Sequence, residues 1–268
     1  MIVLGCIAFL IIGLILGLIG GGGSILGVPV LVYVMRYSAN DATTYSLFIV
    51  GLTSLIGSVA YLKKGEISIE ALLQFAIASL TTVFCVRKYL MPAIPDMLHI
   101  YELDFTKHIL IMVLFSVLIL LSSISMIRKK KYDRIREIKW DEFSKSPIGI
   151  PFVIMMGIVV GFITGFVGAG GGFIIVPVLM FFLRLHFKKA IGTSLSIIAL
   201  NSLIGFAGNI GQQAIDWQML LIISFMCILG ILTGSRIAHF FSSQKLKPAF
   251  GWFTLIVGIL VLVKETVL

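Results

Sequence analysis

Ten apolar segments follow one another along this chain, over roughly residues 2–20, 24–35, 43–62, 71–90, 108–127, 149–167, 173–184, 190–210, 217–238 and 248–263. A helix needs about 20 apolar residues to cross about 30 Å of hydrocarbon, and in lipid every backbone polar group must be satisfied internally. The 268 residues are 59% hydrophobic and only 12% charged, with mean hydropathy +1.11. An ordinary soluble domain is about 25% charged. A water-soluble fold is therefore excluded and an all-α polytopic membrane protein is expected, its length filled by about eight to ten crossings.

Two segments, 24–35 and 173–184, are too short to cross comfortably alone. Both follow glycine clusters, Gly20-Gly21-Gly22-Gly23 and Gly168-Ala169-Gly170-Gly171-Gly172, where consecutive glycines interrupt a helix. Each half is thus expected to hold a glycine-broken short helix.

The halves repeat. A shift of 148 positions aligns Gly17 with Gly165, Gly20 with Gly168, Gly22-Gly23 with Gly170-Gly171, Val28-Pro29-Val30-Leu31 with Val176-Pro177-Val178-Leu179, and Arg36 with Arg184. The register continues through Ala42/Ala190, Ser46-Leu47/Ser194-Leu195 and Ser54-Leu55-Ile56-Gly57/Ser202-Leu203-Ile204-Gly205. Apolar background can mimic some identity, but not paired glycines, prolines, arginines and serines at one interval. The expected organisation is a first membrane repeat over 1–127, a basic linker over 128–147 and a second membrane repeat over 148–268.

The formal net charge of +9 owes much to one stretch, Arg128-Lys129-Lys130-Lys131 followed by Arg134, Arg136, Lys139 and Lys145. Such a cluster marks the cytoplasmic side and the neighbourhood of anionic lipid headgroups. No folded basic surface with interleaved aromatics supports nucleic-acid binding. With each short segment and its partner counted as two passages, Asp96, Glu102 and Asp104 fall outside, and so does Asp216. Lys63-Lys64, Lys188-Lys189 and Arg236/Lys245/Lys247 then fall inside. That count gives each repeat an odd number of passages, so the halves insert upside down relative to each other. The alternative, in which the short segments return to their side of entry, places Arg236, Lys245 and Lys247 outside, and the charge rule disfavours it.

An ion at membrane depth needs compensating partial charges, and a helix beginning there offers unpaired N–H groups at its positive end. The segments opening near Ser24 and Gly172 fit that need, with Gly20, Gly21, Gly22 and Gly23 in one copy and Gly168, Gly170 and Gly171 in the other letting a ligand approach the backbone. Close helix packing is the competing role of such glycines. Consecutive glycines, repeated in register before a proline, favour the ion site. Thr43, Thr44 and Ser46 in one half, and Thr193, Ser194 and Asn201 in the other, add donors for an oxyanion; such hydroxyls can equally bond their own helix carbonyls. Arg87 and Arg236, near the ends of equivalent spans, are candidates for attracting or gating an anion, or for snorkelling to headgroups.

All twelve Asp and Glu lie in loops or at their edges, so no span has a central carboxylate for a proton relay. An anion leaving a cell that is negative inside needs none, since the potential supplies about 2.3 kcal/mol per charge per 100 mV. His99, His108, His186 and His239 sit at span ends, and no HExxH, GxSxG or Walker-type pattern occurs, so an enzyme, a cofactor and a metal site are not expected. Cys6, Cys85 and Cys227 lie in apolar runs without CxxC spacing, which argues against a disulfide framework or zinc. Met1 runs into an apolar stretch with no basic leader, which reads as a retained span.

Gly165-x-x-Gly168-x-Gly170-Gly171-Gly172 with Pro177-x-Leu179, then Ala190-x-Gly192-Thr193-Ser194-Leu195 and Asn201, resembles the TauE/SafE family of sulfite exporters. Gly17-x-x-Gly20-x-Gly22-Gly23 with Pro29-x-Leu31 is similar to the same motif, with Ser24 in place of its third consecutive glycine and Thr44-Tyr45-Ser46 in place of Gly192-Thr193-Ser194. The resemblance covers nearly the whole chain. It implies a membrane transporter, by preference an exporter, of a small sulfur-containing anion such as sulfite, thiosulfate or an organosulfonate. An importer of a sulfur oxyanion and an anion channel on the same fold are the alternatives. A multi-pass protein of a bacterial inner (plasma) membrane is expected, with a small anion and lipid as partners and a homodimer left open.

Overall fold

The computed structural model describes residues 2–95, 97–100, 103–127, 149–168, 170–181, 183, 185, 187–211, 215–237, 251–252 and 255–264. The linker over 128–147 lies outside the described residues, as do His186, His239, Arg184, Lys245 and Lys247.

Helix α1 (Ile2–Ile19) ends at the first glycine cluster. The chain then enters α2, a composite of a 3₁₀ stretch Gly21–Leu26, one turn Gly27–Pro29 and a π stretch Val30–Val34. Next come α3 (Ala39–Lys63) and α4 (Ile69–Cys85), the latter continuing through a π stretch Val86–Leu90 and a last turn Met91–Ala93. Strands β1 (Met97–Ile100) and β2 (Leu103–Thr106) precede α5 (Lys107–Ile127). The second repeat holds α6 (Gly149–Val167), the short α7 (Gly172–Phe181), α8 (Phe187–Asn209) and α9 (Trp217–Ile237), and Leu255–Lys264 forms α10. Among the described residues, six helices are long and apolar enough to cross a membrane.

One short hairpin accompanies the all-α fold. Residues 97–100 and 103–106 form an antiparallel pair in which Met97 lies opposite Thr106 and Ile100 opposite Leu103. Two strands of four residues with Ile, Phe and Thr suit a pleated backbone, but a run so short leaves no period to read.

The glycine clusters break the chain as expected. Gly20 has φ +80°, and Gly168, Gly170 and Gly171 have φ between +68° and +73°, the left-handed region that side chains rarely adopt. Each short helix can therefore fold back beside the helix before it: a side chain at Gly23 would lie 2.7 Å from the Ile12 carbonyl oxygen of α1.

The repeats exchange partners. The first helix of each packs on the fourth helix of the other, α1 on α9 and α6 on α4. In both pairs the helices run parallel. Gly13 meets Cys227 and Gly17 meets Ile231 and Ser235, while Gly157 meets Phe75, Gly161 meets Ser79 and Gly165 meets Val83 and Val86. The sequence-equivalent helices α3 and α8 cross antiparallel at the centre, Gly192 beside Tyr61, Gly51 beside Leu203 and Gly205 beside Leu47. A buried core of Phe9, Leu16, Ile25, Leu31, Leu47, Ile191, Leu195 and Ile231 ties both halves together.

Helix α3 is capped by Ser38, whose Oγ accepts from the Asp41 N–H at 3.1 Å and donates to Asp41 Oδ2 at 2.7 Å. Ser38→Ala is expected to cost about 1 kcal/mol of stability, read as a lowered thermal midpoint of the purified protein. An unchanged midpoint would show that the cap contributes nothing.

Candidate functional site

Arg87 is expected at a span end, where an arginine ordinarily snorkels to headgroups, yet here it is fully buried. The π stretch at Val86–Leu90, closed by the Met91 N–H on the Val86 carbonyl, puts Val86 and Arg87 inward together. Such one-turn widenings recur at functional sites. Lys88, the next residue, turns outward over the rings of Phe84 and Tyr89 at 5.2 and 5.8 Å.

The guanidinium donates from Nη1 to Thr43 Oγ1 at 3.1 Å, while Nε and Nη2 are buried without a hydrogen-bond partner. Gly168 lies against it: a Cβ there would overlap Nη2 and Thr43. Only glycine suits that position, both for its φ of +73° and for the space. On α8, a Cβ at Gly208 would sit 3.2 Å from the Cβ of Arg87, and the neighbouring Asn209 donates from Nδ2 to Thr44 Oγ1 at 2.7 Å. Thr43 and Thr44 also donate to the Asn40 carbonyl at 2.9 and 3.0 Å, which fixes both hydroxyls with lone pairs turned to Arg87 and Asn209. Arg87, Thr43, Thr44, Asn209 and the Gly168 backbone therefore form one buried polar group of positive charge.

The shift that relates the repeats carries this arrangement onto a second, chemically different place. Gly168 beside Thr43 maps onto Gly20 beside Ile191, and Asn209 beside Thr44 onto Tyr61 beside Gly192. Arg87 maps onto Ser235. Arg236 corresponds instead to Lys88 and is exposed at the end of α9, so the structure separates the two arginines that the sequence pairs. The positions are shared and the polarity is not.

Between the two places the glycine clusters meet, Gly21 backbone against Gly172 backbone. A Cβ at Gly170 would lie 2.8 Å from Ser202 Oγ, and one at Gly171 would overlap Thr164 Oγ1. Ser202, Thr164, Ser54, Thr53 and Ser46 all carry buried hydroxyls without a partner, and Asn201 accepts from Ser79 Oγ at 2.9 Å while its Nδ2 has none. Unsatisfied polar atoms are rare in a low-dielectric interior, and those of Ser202 and Thr164 lie beside the glycine backbone.

Other sequence candidates have local duties. Ser24 Oγ donates to the Gly21 carbonyl at 2.8 Å and Ser194 Oγ to the Ile191 carbonyl at 2.8 Å, both within their own turns. Gly22 continues the 3₁₀ stretch, and Ser46 faces Gly27. Thr193 accepts the Ser68 N–H at 2.9 Å, and its repeat equivalent Tyr45 accepts the Asp216 N–H at 3.0 Å, so each half uses one side chain to hold the start of a helix in the other. Thr193→Val leaves that N–H unpaired and is expected to destabilise the protein by about 1–3 kcal/mol, with the thermal midpoint as readout; an unchanged midpoint would mean that the bond is dispensable. Asn209, Ser202, Ser54, Thr53 and Thr164 were not sequence candidates. The matched Ser54/Ser202 pair was the available signal for two of them, whereas nothing in an apolar helix distinguishes Asn209.

Among the described residues, six long apolar helices and two short helices opened by glycines define a polytopic helical protein, with a buried cation among hydroxyls. Residues 5–261 match the family described as "Sulfite exporter TauE/SafE", and the chain belongs to that family. It is similar to a "Probable membrane transporter protein" of Xylella fastidiosa (strain 9a5c), 28% identical over 256 residues that cover 94% of this chain and 91% of the relative. It also resembles the "Probable membrane transporter protein YdhB" of Bacillus subtilis (strain 168), 23% identical over 254 residues, 94% of this chain and 96% of that one. A probable membrane transporter of Methanocaldococcus jannaschii is 30% identical over 110 residues, 39% of this chain and 41% of its own. No solved structure matches the chain. The protein is thus a multi-pass membrane transporter.

Proposed function

We propose that this transporter moves a small sulfur-containing anion, such as sulfite, thiosulfate or an organosulfonate, out of the cell across a bacterial inner membrane, and that the anion binds at Arg87. The observation that carries this reading is the fully buried guanidinium with two unpartnered nitrogens beside Thr43 and Gly168. A charge held in that way is costly, and inside a membrane protein it marks an ion path. Family membership supports the sulfur anion.

The repeats are inverted in this reading. Its support is the antiparallel crossing of the equivalent helices α3 and α8, together with the basic linker as the cytoplasmic side. Arg87 then stands in the outer half of α4, the last charged contact for an anion leaving. The inner equivalent, Gly20, Ile191 and Tyr61, carries no charged side chain, and the membrane potential favours the anion's exit by about 2.3 kcal/mol per charge per 100 mV.

The test is flux of sulfite, thiosulfate and sulfoacetate from proteoliposomes under an imposed potential. Thr43→Val keeps the shape, removes the hydroxyl that orients Arg87, and is expected to slow flux roughly tenfold, the value of one hydrogen bond to a charged group. Wild-type flux in a folded Thr43→Val protein, or no flux of any of the three anions in the wild type, would overturn the proposal.

A further inference from the structure

We propose that the two ends of the protein fill with anion at different bulk concentrations: Lys63, Lys188 and Lys189 form a collecting mouth at one end, and Asp41 and Asp216 a repelling mouth at the other. This rests on the reading of the chain as an anion carrier. Both ends are built to one plan. The start of α8 receives the turn after α3, where a Cβ at Gly192 would overlap the Glu66 carbonyl oxygen and Thr193 Oγ1 accepts the Ser68 N–H at 2.9 Å. The start of α3 receives the turn after α8, where the Tyr45 hydroxyl accepts the Asp216 N–H at 3.0 Å. The shift that relates the repeats carries Tyr45 onto Thr193 and Ser68 onto Asp216.

The plan is repeated and the charges are not. Lys188-Lys189 stand where the first repeat has Asn40-Asp41, and Gly211-Gln212 where it has Lys63-Lys64. Over residues 63–70 and 188–189 four lysines outnumber Glu66 and Glu70, whereas the matching residues 211–218 and 40–41 carry Asp216 and Asp41 as their only charges. Arg36 matches Arg184 and Lys88 matches Arg236, so these cations leave the contrast unchanged. Lys63, Lys188, Lys189 and Asp216 are exposed, and Asp41 is half-buried. Both carboxylates bear on Tyr37, whose phenol is held above its usual range by burial first and then by Tyr45, Asp216 and Asp41. Exposed charges hold a small anion weakly, but a cluster of one sign at a mouth changes its local concentration and arrival rate about 10- to 1000-fold, and salt screens the effect. Without a driving force neither mouth favours a direction of net flux; the contrast sets the concentration at which each side fills. With the basic linker cytoplasmic, the lysine mouth opens inside, and anion already released outside competes poorly for the carrier.

The experiment measures KM from each side at zero potential, for sulfite, thiosulfate and sulfoacetate, in oriented proteoliposomes of phosphatidylcholine. Wild type is expected to show a KM roughly tenfold lower at the lysine mouth in low salt. Replacing the three lysines together, by Lys63→Gln, Lys188→Gln and Lys189→Gln, is expected to raise that KM roughly tenfold, while the three corresponding arginine substitutions keep it low. Asp41→Asn with Asp216→Asn is expected to lower the KM at the other mouth; both substitutions keep an oxygen for the Ser38 hydroxyl and the Met219 N–H. These differences should vanish near 1 M salt, where the Debye length is about 3 Å. Equal wild-type KM values on the two sides would overturn the inference and leave the carrier intact. So would a lysine effect that survives high salt, or one that requires phosphatidylglycerol in the vesicle, since the lysines would then act on headgroups. No flux of any of the three anions would instead remove the carrier reading on which the inference rests.

Discussion

Replacing Arg87 with methionine is expected to reduce anion flux by at least about a hundredfold while leaving the purified protein as heat-stable as the wild type, or more so. The two halves of that expectation come from one fact: the side chain is fully buried, with Nε and Nη2 unpartnered and a single hydroxyl on Nη1. Taking an unpaired charge out of water costs several kcal/mol, and an apolar side chain of similar length removes that cost. Thr43 keeps its own bond to the Asn40 carbonyl, so the substitution strands no buried acceptor that needs a donor. A residue kept only for the fold would behave oppositely, with lower stability and flux falling in proportion to folded protein. Measuring flux per folded molecule beside the thermal midpoint separates the two, and a less stable Arg87→Met with normal specific flux would reverse the argument.

The apolar spans and the glycine breaks were readable from the residues because each depends on information carried along the chain. Apolar length is local, and so is a consecutive run of glycines; the positive φ values at Gly20, Gly168, Gly170 and Gly171 are what such a run permits. The importance of Arg87 was not readable to the same degree. A one-residue offset between the halves pairs it with Arg236, whereas the contacts of Gly165 with Val83 and Val86, and of Gly17 with Ile231 and Gly234, pair it with Ser235. Its burial depends on a π stretch, and helical periodicity carries no mark of that. Thr193 was a candidate donor by its position in a motif, and its oxygen also accepts from the Ser68 N–H, 125 residues away in the chain. Long-range partners of this kind decide whether a hydroxyl is available, and composition does not encode them.

The largest loss of folding is expected not at the site but where α1 meets α9. Gly13 and Gly17 on one helix face Gly230 and Gly234 on the other, and backbone touches backbone along the whole contact: a Cβ at Gly13 would overlap the Cys227 carbonyl oxygen, and one at Gly234 the Leu14 carbonyl oxygen. Small residues at this spacing let two apolar helices approach closely, which is the source of their attraction in lipid, where burial of apolar surface gives no advantage. Gly234→Leu therefore cannot be accommodated by turning a flexible side chain, because the atoms in the way are main chain. The helices must separate, and the substitution is expected to cost more than about 4 kcal/mol, enough to remove most folded protein from a marginally stable domain. Gly65→Ala is the control: its glycine has φ +68° but nothing within 4 Å of the added Cβ, so only backbone strain is incurred, about 1–2 kcal/mol. Monodisperse recovery after detergent extraction should collapse for Gly234→Leu and persist for Gly65→Ala. Equal recovery of the two would mean that α1 and α9 are not held by the contact of their backbones.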